Sequence, residues 1–223
     1  MISVIIPVYN EEKTIAQLLD GLCSCKDLEA IVVDGQSSDK TQKVIEQYQV
    51  KALSSEKMRA KQCNVGANQA KGDIFVFLHA DCLPDRESFK EIRASIDKGF
   101  IGGCLRQSIE DDRKVYRFIE ASGNLRAKIF KIFYGDQAIF VKRDFFFKIG
   151  GFDEVEIFED VLFSKKLKRE GKTSLLNKKV YTLPRRWINQ GLIKVTFINW
   201  FLTLGLFLGF SPKTLKKLYL DIR

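Results

Sequence analysis

Histidine and proline are scarce in this chain of 223 residues, which has one histidine and four prolines. It has five cysteines, an odd number, at positions 23, 25, 63, 82 and 104. They lack the paired spacing of zinc ligands. We therefore expect no structural zinc, and thiols that stay reduced in a reducing compartment. Low-complexity linkers and internal repeats are also missing, and 45% hydrophobic with 29% charged residues is typical of a folded globular chain.

Charge of one sign is in excess, because the chain carries a net charge of +9. Much of the excess lies in its last third, in the basic clusters 165–169, 178–179, 185–186 and 213–217. Such a surface attracts anionic lipid, nucleic acid or a phosphorylated substrate, although solvated helix faces give the same pattern. A strand begins almost at once, at Ile2, so we expect no secretory signal peptide and a cytoplasmic location.

Apolar runs alternate with helical segments in the first part of the chain. Strands over Ile2–Pro7, Glu29–Asp34 and Asp73–Leu78 are separated by helices, the first predicted over Glu11–Leu22 with Asn10 as its N-cap. This rhythm predicts right-handed βαβ units and a mostly parallel sheet flanked by helices, an α/β fold.

The rhythm changes after Pro84. We predict a basic amphipathic helix over Asp112–Phe130, a strand over Gly135–Val141 and a short hairpin that ends near Leu183. The predicted organisation is one α/β domain over residues 1–187 and a C-terminal helical appendage over 188–223.

The appendage contains an uncharged, aromatic-rich stretch, Val195–Pro212, that as a helix would be about 27 Å long. Three interpretations are open: a helix in the membrane interface, a spanning helix, and a helix packed on the domain. Crossing would place Lys213, Lys216 and Lys217 beyond the membrane, against the positive-inside tendency, so the interfacial helix is favoured.

Three carboxylate positions stand at strand ends or polar turns. Asp81 follows the predicted strand Asp73–Leu78 and stands beside the lone His79. A carboxylate there suits a divalent cation that holds a diphosphate, or it simply starts the turn into Pro84. Asp34 closes the second strand before Gly35 and could accept hydrogen bonds from a nucleobase or ribose, or be a plain turn residue. The pair Glu159-Asp160 could supply a general base, or be acids at a helix N-terminus.

Taken in order, these motifs resemble the family 2 glycosyltransferases of the GT-A fold, over residues 1–187. The likeness rests on segments 3–12, 32–41, 59–60, 64–66, 70–73, 77–81, 150–153 and 159–160. A narrower likeness, to the subgroup linked to arsenosugar-type biosynthesis, rests on His79-Ala80-Asp81, on Tyr134-Gly135-Asp136-Gln137 and on Arg185-Arg186-Trp187.

The resemblance implies roles for individual residues. It implies a donor nucleotide pocket formed by Pro7, Tyr9, Glu11, Asp34, Gly35 and Arg59. It implies that Asp81 binds Mg²⁺ or Mn²⁺ and that Asp160, beside Glu159, deprotonates the acceptor, while Arg186 and Trp187 close over the donor. His79 replaces the first Asp of the family's Asp-x-Asp motif, which leaves one negative charge fewer and predicts weaker metal dependence.

The leading hypothesis is therefore an inverting, metal-assisted glycosyltransferase that moves a sugar from a nucleotide sugar, with UDP favoured, to a hydroxyl acceptor. The acceptor is lipid-linked or small and soluble, and the enzyme contacts the anionic inner face of the cell membrane peripherally. Two alternatives are a sugar-phosphate nucleotidyltransferase, which would need a Gly-rich loop after the first strand, and a non-catalytic basic module that binds lipid or nucleic acid. Under the leading hypothesis no nucleic acid partner is expected.

Overall fold

The computed structural model describes residues 1–25 and 27–217. One mixed sheet runs through it, with strands in the order β3-β2-β1-β4-β7-β6-β8-β5. The strands are β1 (Ile2–Val8), β2 (Leu28–Asp34), β3 (Lys51–Ser54), β4 (Ile74–Phe77), β5 (Cys82–Pro84), β6 (Gly102–Ile109), β7 (Ile139–Lys142) and β8 (Thr173–Thr182). Strands β3, β2, β1 and β4 are parallel, and β7 joins β4 antiparallel to begin the mixed half.

Ten helices flank this sheet in the described part of the chain. They are α1 (Ile15–Cys23), α2 (Thr41–Ile45), α3 (Arg59–Gln69), α4 (Ser88–Asp97), α5 (Lys114–Phe130), α6 (Arg143–Lys148), α7 (Glu159–Glu170), α8 (Arg185–Gln190), α9 (Leu192–Phe207) and α10 (Pro212–Lys216). Buried side chains of α1 and α4 pack on one face of the sheet, and those of α3, α6 and α7 pack on the other. The predicted α/β fold with a mostly parallel first half is confirmed.

Three predicted elements are wrong in detail. The first helix begins at Ile15 instead of Glu11, because Asn10 is left-handed (φ 54°) and its Oδ1 accepts a bond from Ser38 N–H. The region 135–141 opens with a 3₁₀ turn, Gly135–Gln137, before β7. The predicted hairpin before Leu183 is a single ten-residue strand, β8, which pairs with both β6 and β5.

The C-terminal helices pack on the domain through a small apolar cluster. Its buried members from α9 and α10 are Leu202, Leu206 and Leu215, which meet Ile132, Ile157 and Val161. The predicted helix 195–212 ends at Phe207, before Gly209 at φ 94°. None of the helices in residues 1–25 and 27–217 is long and apolar enough to cross a membrane. Helix α8 runs across the predicted boundary at residue 187.

Close packing at Gly103 gives a test of the sheet. A Cβ there would lie 2.0 Å from the carbonyl oxygen of Ser174 in β8 and 2.9 Å from Phe140 in β7. We expect Gly103→Ala to lower the free energy of unfolding by about 3 kcal/mol, since forcing atoms into a packed core costs about that much.

Gly21 in α1 is the matched control, because a Cβ there meets nothing within 4 Å. Gly21→Ala should raise stability by about 0.5–1 kcal/mol through helix propensity. Urea unfolding measures both variants, and an undiminished stability of Gly103→Ala would show that β6 and β8 are not packed as described.

Candidate active site

The candidate site lies along one edge of the sheet. Strands β1, β2 and β4 are parallel neighbours, so their carboxyl ends bring Pro7, Asp34 and the His79–Asp81 segment to the same edge. Ligands of open α/β sheets bind at this edge. A small cavity here is lined by residues that include Pro7, Arg59, His79, Gly135, Glu159 and Asp160. The structure thus brings together residues from five separate parts of the sequence.

Asp34 is held by its own turn. It is only 4% exposed, and its carboxylate accepts bonds from the Ser37 backbone N–H and from Gln42 Nε2 at 2.7 Å. Asp34 therefore stabilises the turn that follows β2, which is one of the two interpretations that the sequence left open. Its contact with a nucleobase stays a prediction.

The neighbouring positions of the predicted nucleotide pocket have clear local roles. Gly35 is closely packed, since a Cβ there would lie 3.1 Å from Gln62 Nε2, whereas the left-handed residue of the turn is Gln36 at φ 65°. The Tyr9 ring carries the Lys57 ammonium 3.9 Å from its centroid, a cation–π contact. A planar apolar wall beside a cation is therefore already assembled at this edge.

One arginine that the sequence reasoning did not select joins two predicted site residues. Arg185, the first residue of α8, donates from Nη1 to Glu11 Oε2 (2.9 Å) and from Nη2 to Asp81 Oδ2 (2.8 Å). The two Nη atoms of this one guanidinium thus bind two separate carboxylates with charge-assisted hydrogen bonds. The sequence analysis named Arg185 only within the motif Arg185-Arg186-Trp187 and a basic cluster, and it assigned this residue no role at the site. The contact fixes the start of the C-terminal helices at the site.

The predicted metal residues lie together. Ligand atoms of His79, Asp81 and Cys82 are all within 4.8 Å of one another. Burial lowers the pKa of His79 to about 3, and the cations Arg59 and Arg185 add to this against the opposing charge of Asp81. The imidazole is therefore neutral at physiological pH and able to act as a ligand.

These donors fit a divalent cation only in part. Burial raises the pKa of Cys82 well above its ordinary value, and a thiol is in any case a poor ligand for hard cations such as Mg²⁺ and Mn²⁺. One carboxylate and one imidazole remain, and Mn²⁺ accepts both donor types while Mg²⁺ favours the oxygen. Asp81 would also have to share its carboxylate between a cation and Arg185.

Asp160 lies at the N-terminus of α7, after Phe158 in the left-handed region at φ 66°. Its Oδ2 accepts from Gly135 N–H and its Oδ1 from Val161 N–H, both at 2.7 Å. Burial raises the pKa of Asp160, and the two N–H donors and the nearby arginines oppose this rise. A carboxylate that lines a cavity and is held by two N–H donors is a candidate general base.

Glu159 has a different partner. It accepts a bond from Arg59 Nη1 at 3.0 Å and is 3% exposed. Burial raises the pKa of Glu159, and the Arg59 guanidinium opposes this. The pair ties α3 to α7 across the cavity and gives the Glu159 carboxylate a cation as its partner. The role of Asp160 as the base stays a prediction.

Asp136 is a further acid that the sequence reasoning did not single out as a site residue. Its Oδ2 accepts a bond from Gln107, and its buried Oδ1 has no hydrogen-bond partner within residues 1–25 and 27–217. Burial raises the pKa of Asp136 to about 6; Arg126 opposes this rise, and the charges of Asp160 and Asp81 add to it. Asp136 follows Gly135, whose N–H donates to Asp160. One short turn therefore contains both the backbone donor to Asp160 and a second buried acid.

Arg186 and Trp187 face the neighbouring helices. Arg186 Nη1 donates to Asn199 Oδ1 on α9 at 3.3 Å, and the Trp187 ring meets Tyr116 of α5 edge-on with centroids 5.8 Å apart. Their predicted closure over the donor stays a prediction.

Comparison with known proteins gives a consistent picture. Residues 3–153 match the family model described as glycosyl transferase family 2. An undecaprenyl-phosphate 4-deoxy-4-formamido-L-arabinose transferase of Proteus mirabilis is 34% identical over 124 residues, 49% of this chain and 38% of that protein. The poly(ribitol-phosphate) β-N-acetylglucosaminyltransferase TarS of Staphylococcus aureus is 34% identical over 107 residues, 43% of this chain and 19% of that protein. The chain thus spans less than half the length of these relatives.

Solved structures show the same fold. Staphylococcal TarS 1–349 in complex with UDP superposes with a TM-score of 0.68 at 24% identity, over 82% of this chain and 60% of that one. The mannosyltransferase PcManGT of Pyrobaculum calidifontis, in complex with GDP-Man and Mn²⁺, gives 0.65 at 21% identity over 81% and 56%. The GT-A fold is thereby confirmed, while the narrower arsenosugar-type resemblance stays a prediction.

The raised pKa of Asp136 predicts a pH-dependent effect on stability. The folded protein holds this proton more tightly than the unfolded chain, so the ionised carboxylate destabilises the fold as pH rises from its ordinary value of 3.8 through about 6. Asp136→Asn should therefore stabilise the protein more at pH 8 than at pH 5, by about 1 kcal/mol.

Urea unfolding at the two pH values measures this difference. Asp97→Asn, at an exposed position of α4, is the matched control and should show none. An equal effect of Asp136→Asn at both pH values would contradict the burial of an ionisable group at this position.

Proposed function

The chain belongs to glycosyl transferase family 2, and from this premise we propose that it transfers a sugar from a nucleotide sugar, with UDP favoured, to a hydroxyl acceptor with inversion. The observation that carries the proposal is the shared cavity, in which Asp160 and His79 meet at Gly135. A base for the acceptor and a group for the diphosphate are thus within one small site.

The donor nucleotide binds at the carboxyl ends of β1 and β2. Pro7, Tyr9 and Glu11 form one wall, Asp34 and Gly35 receive the base, and Arg59 lies toward the diphosphate. Arg59 and Lys57 supply positive charge, which favours a diphosphate at this edge. UDP and UDP-GlcNAc in the staphylococcal neighbour support a uridine donor, and GDP-Man in the archaeal neighbour is the alternative.

Asp81 and His79 would hold Mg²⁺ or Mn²⁺, which would supply positive charge opposite the departing nucleoside diphosphate. The Mn²⁺ complex of the archaeal neighbour supports this assignment. Arg185 also donates a hydrogen bond to Asp81 and adds a positive charge at this position. His79 stays neutral in this role, and one carboxylate in place of two predicts weaker metal dependence than in the Asp-x-Asp relatives.

Asp160 removes the proton of the acceptor hydroxyl. The acceptor oxygen forms a bond to the anomeric carbon while the bond from that carbon to the diphosphate oxygen breaks, and the proton passes to Asp160. Each carboxylate oxygen of Asp160 accepts one backbone N–H and keeps a further lone pair. The site needs no enzyme nucleophile, since direct displacement inverts the configuration in one step.

The acceptor is a hydroxyl compound, either lipid-linked or small. Among the relatives, the undecaprenyl-phosphate transferase supports a lipid-linked compound by its name, while the hydroxyl as the accepting group is part of this proposal alone. In this proposal the catalytic part, residues 1–187, works at the cytoplasmic face of the membrane, with residues 188–223 as the associating appendage.

Replacement of Asp160 tests the base. Asp160→Asn should lower kcat by about 100- to 10,000-fold, since that is what a positioned base contributes, with donor affinity changed by less than about threefold. Nucleotide release from a panel of UDP- and GDP-sugars with candidate acceptors measures kcat, and calorimetry measures affinity. Asp97→Asn should match the wild type. An Asp160→Asn enzyme with a kcat within about tenfold of the wild type would exclude Asp160 as the base.

Replacement of Asp81 tests the metal site. Asp81→Ala should remove the increase in donor affinity that Mn²⁺ produces, because the remaining imidazole is a single ligand. Calorimetry with UDP or GDP, in Mn²⁺ and in EDTA, gives both affinities. The same Mn²⁺ enhancement in the variant as in the wild type would place the cation elsewhere, and Asp97→Ala controls for the loss of one negative charge.

A further inference from the structure

Helix α9 is apolar on all sides, and only one side is covered. Its inner side chains Val195, Leu202 and Leu206 are buried, and the two leucines pack on the domain. Its outer side chains are among the most exposed large apolar groups in the described residues, with Ile193 at 71%, Phe197 at 65% and Phe201 at 63%. A helix that is hydrophobic all round normally lies in a protein core or in lipid.

Helix α5 continues this outer surface. Phe118, Leu125 and Ile129 recur at helical spacing on its outer side and are each more than half exposed. The rings of Phe118 on α5 and Trp200 on α9 meet edge-on, with centroids 6.3 Å apart. The outer sides of α5 and α9 are therefore one surface, called here the apolar face. Isolated exposed apolar residues need no explanation, but a contiguous face of this kind marks a binding surface.

The two segments that form the apolar face have a large excess of basic residues. Segment 113–131 contains six basic residues and one acid, Glu120, which is largely buried and paired with Arg117. Residues 185–217 contain no acid at all, and their exposed lysines include Lys194, Lys213 and Lys217. Lys165 lies over the Phe207 ring, with its ammonium 4.9 Å from the centroid. A basic rim around an apolar surface complements an anionic bilayer.

We propose that the apolar face of α5 and α9 lies in the interface of an anionic lipid bilayer, with both helices parallel to the membrane plane. The membrane contact therefore involves the catalytic domain itself, through α5, as well as the C-terminal appendage. A second copy of this chain fits less well, because two basic rims would then face each other.

This orientation places the active site near the lipid surface. Helix α8 begins at Arg185, which contacts Asp81, and α9 follows it in the sequence. Its Trp187 packs on Tyr116 of α5, so α8 touches the site and both helices of the face. Under the proposed function, this favours an amphiphilic acceptor whose chain stays in the bilayer while its polar hydroxyl head reaches α8. The lipid contact itself does not depend on the proposed reaction.

Vesicle sedimentation of the full chain tests the contact. The wild type should bind phosphatidylcholine vesicles that contain about 30% phosphatidylglycerol, and bind pure phosphatidylcholine at least about tenfold more weakly. Phe197→Glu with Phe201→Glu should weaken binding to the anionic vesicles about tenfold or more, whereas the matched pair Phe197→Leu with Phe201→Leu should keep it. Both positions are exposed, so the fold should tolerate either change, and urea unfolding checks this.

Charge reversal tests the rim separately. Lys114→Glu with Lys128→Glu on α5 should weaken binding to the anionic vesicles by about tenfold or more. Lys90→Glu with Lys98→Glu, exposed positions at α4 on the other face of the sheet, should leave it unchanged. Calorimetry with nucleotide, without lipid, runs on the same variants, so a failed donor site and a failed membrane contact give separate results.

Two outcomes would overturn the proposal. One is equal binding of anionic vesicles by the Glu and the Leu variants, which would show that lipid does not cover the apolar face. The other is a wild-type dimer by light scattering that the Phe197→Glu and Phe201→Glu pair makes monomeric, without vesicle binding by the wild type. That result would assign the apolar face to a second copy of the chain.

Discussion

Buried negative charge at one edge of the sheet is the constraint on which the rest of this structure depends. Glu11, Asp34, Glu159 and Asp160 are buried or nearly so, and Asp81 and Asp136 lie beside them. Buried carboxylates destabilise a fold unless cations or N–H donors hold them. Arg59 from α3 and Arg185 from α8 supply the cations, and Gly135 supplies an N–H, so elements far apart in sequence must meet at this edge.

This arrangement also explains why the site is suited to a charged substrate. The arginines already have carboxylate partners, and a diphosphate with a divalent cation brings charges of both signs to the same place. In such a site small changes of geometry redistribute strong charge-assisted hydrogen bonds. The fork of Arg185 is of particular interest, because it links Asp81 to the first turn of α8 and hence to α9 and the apolar face. The proposed donor site and the apolar face are therefore connected through α8.

Much of the fold followed from the sequence because its signals were local. Short apolar runs predicted β1, β2 and β4, and the resemblance to family 2 glycosyltransferases rested in large part on motifs at their ends. The wrong predictions concern residues whose contacts lie far away in the sequence. Asparagine is a residue type favoured at helix N-caps, yet the Asn10 side chain accepts a hydrogen bond from the Ser38 N–H instead. The turn at Gly135 interrupts an apolar run because its N–H binds Asp160, 25 residues away.

The candidate site was predictable to the same extent. Asp34, Asp81 and Asp160 were found from their positions at strand and helix ends. Arg185 and Asp136 were not selected, because their roles depend on partners more than 25 residues distant, Asp81 and Gln107. The apolar face was predicted only in its C-terminal half, since α5 has ordinary amphipathic spacing and only the packing of α9 shows that its outer side is left uncovered.

The most direct test of the account is a crystal structure of the full chain with UDP or GDP and Mn²⁺, with the cation located by its anomalous scattering. The account predicts one Mn²⁺ beside Asp81 and His79, bound to the diphosphate, with the nucleoside between Tyr9 and Asp34 and the cavity at Asp160 left for the acceptor. A nucleotide bound away from the carboxyl ends of β1 and β2, or a cation on other residues, would contradict it.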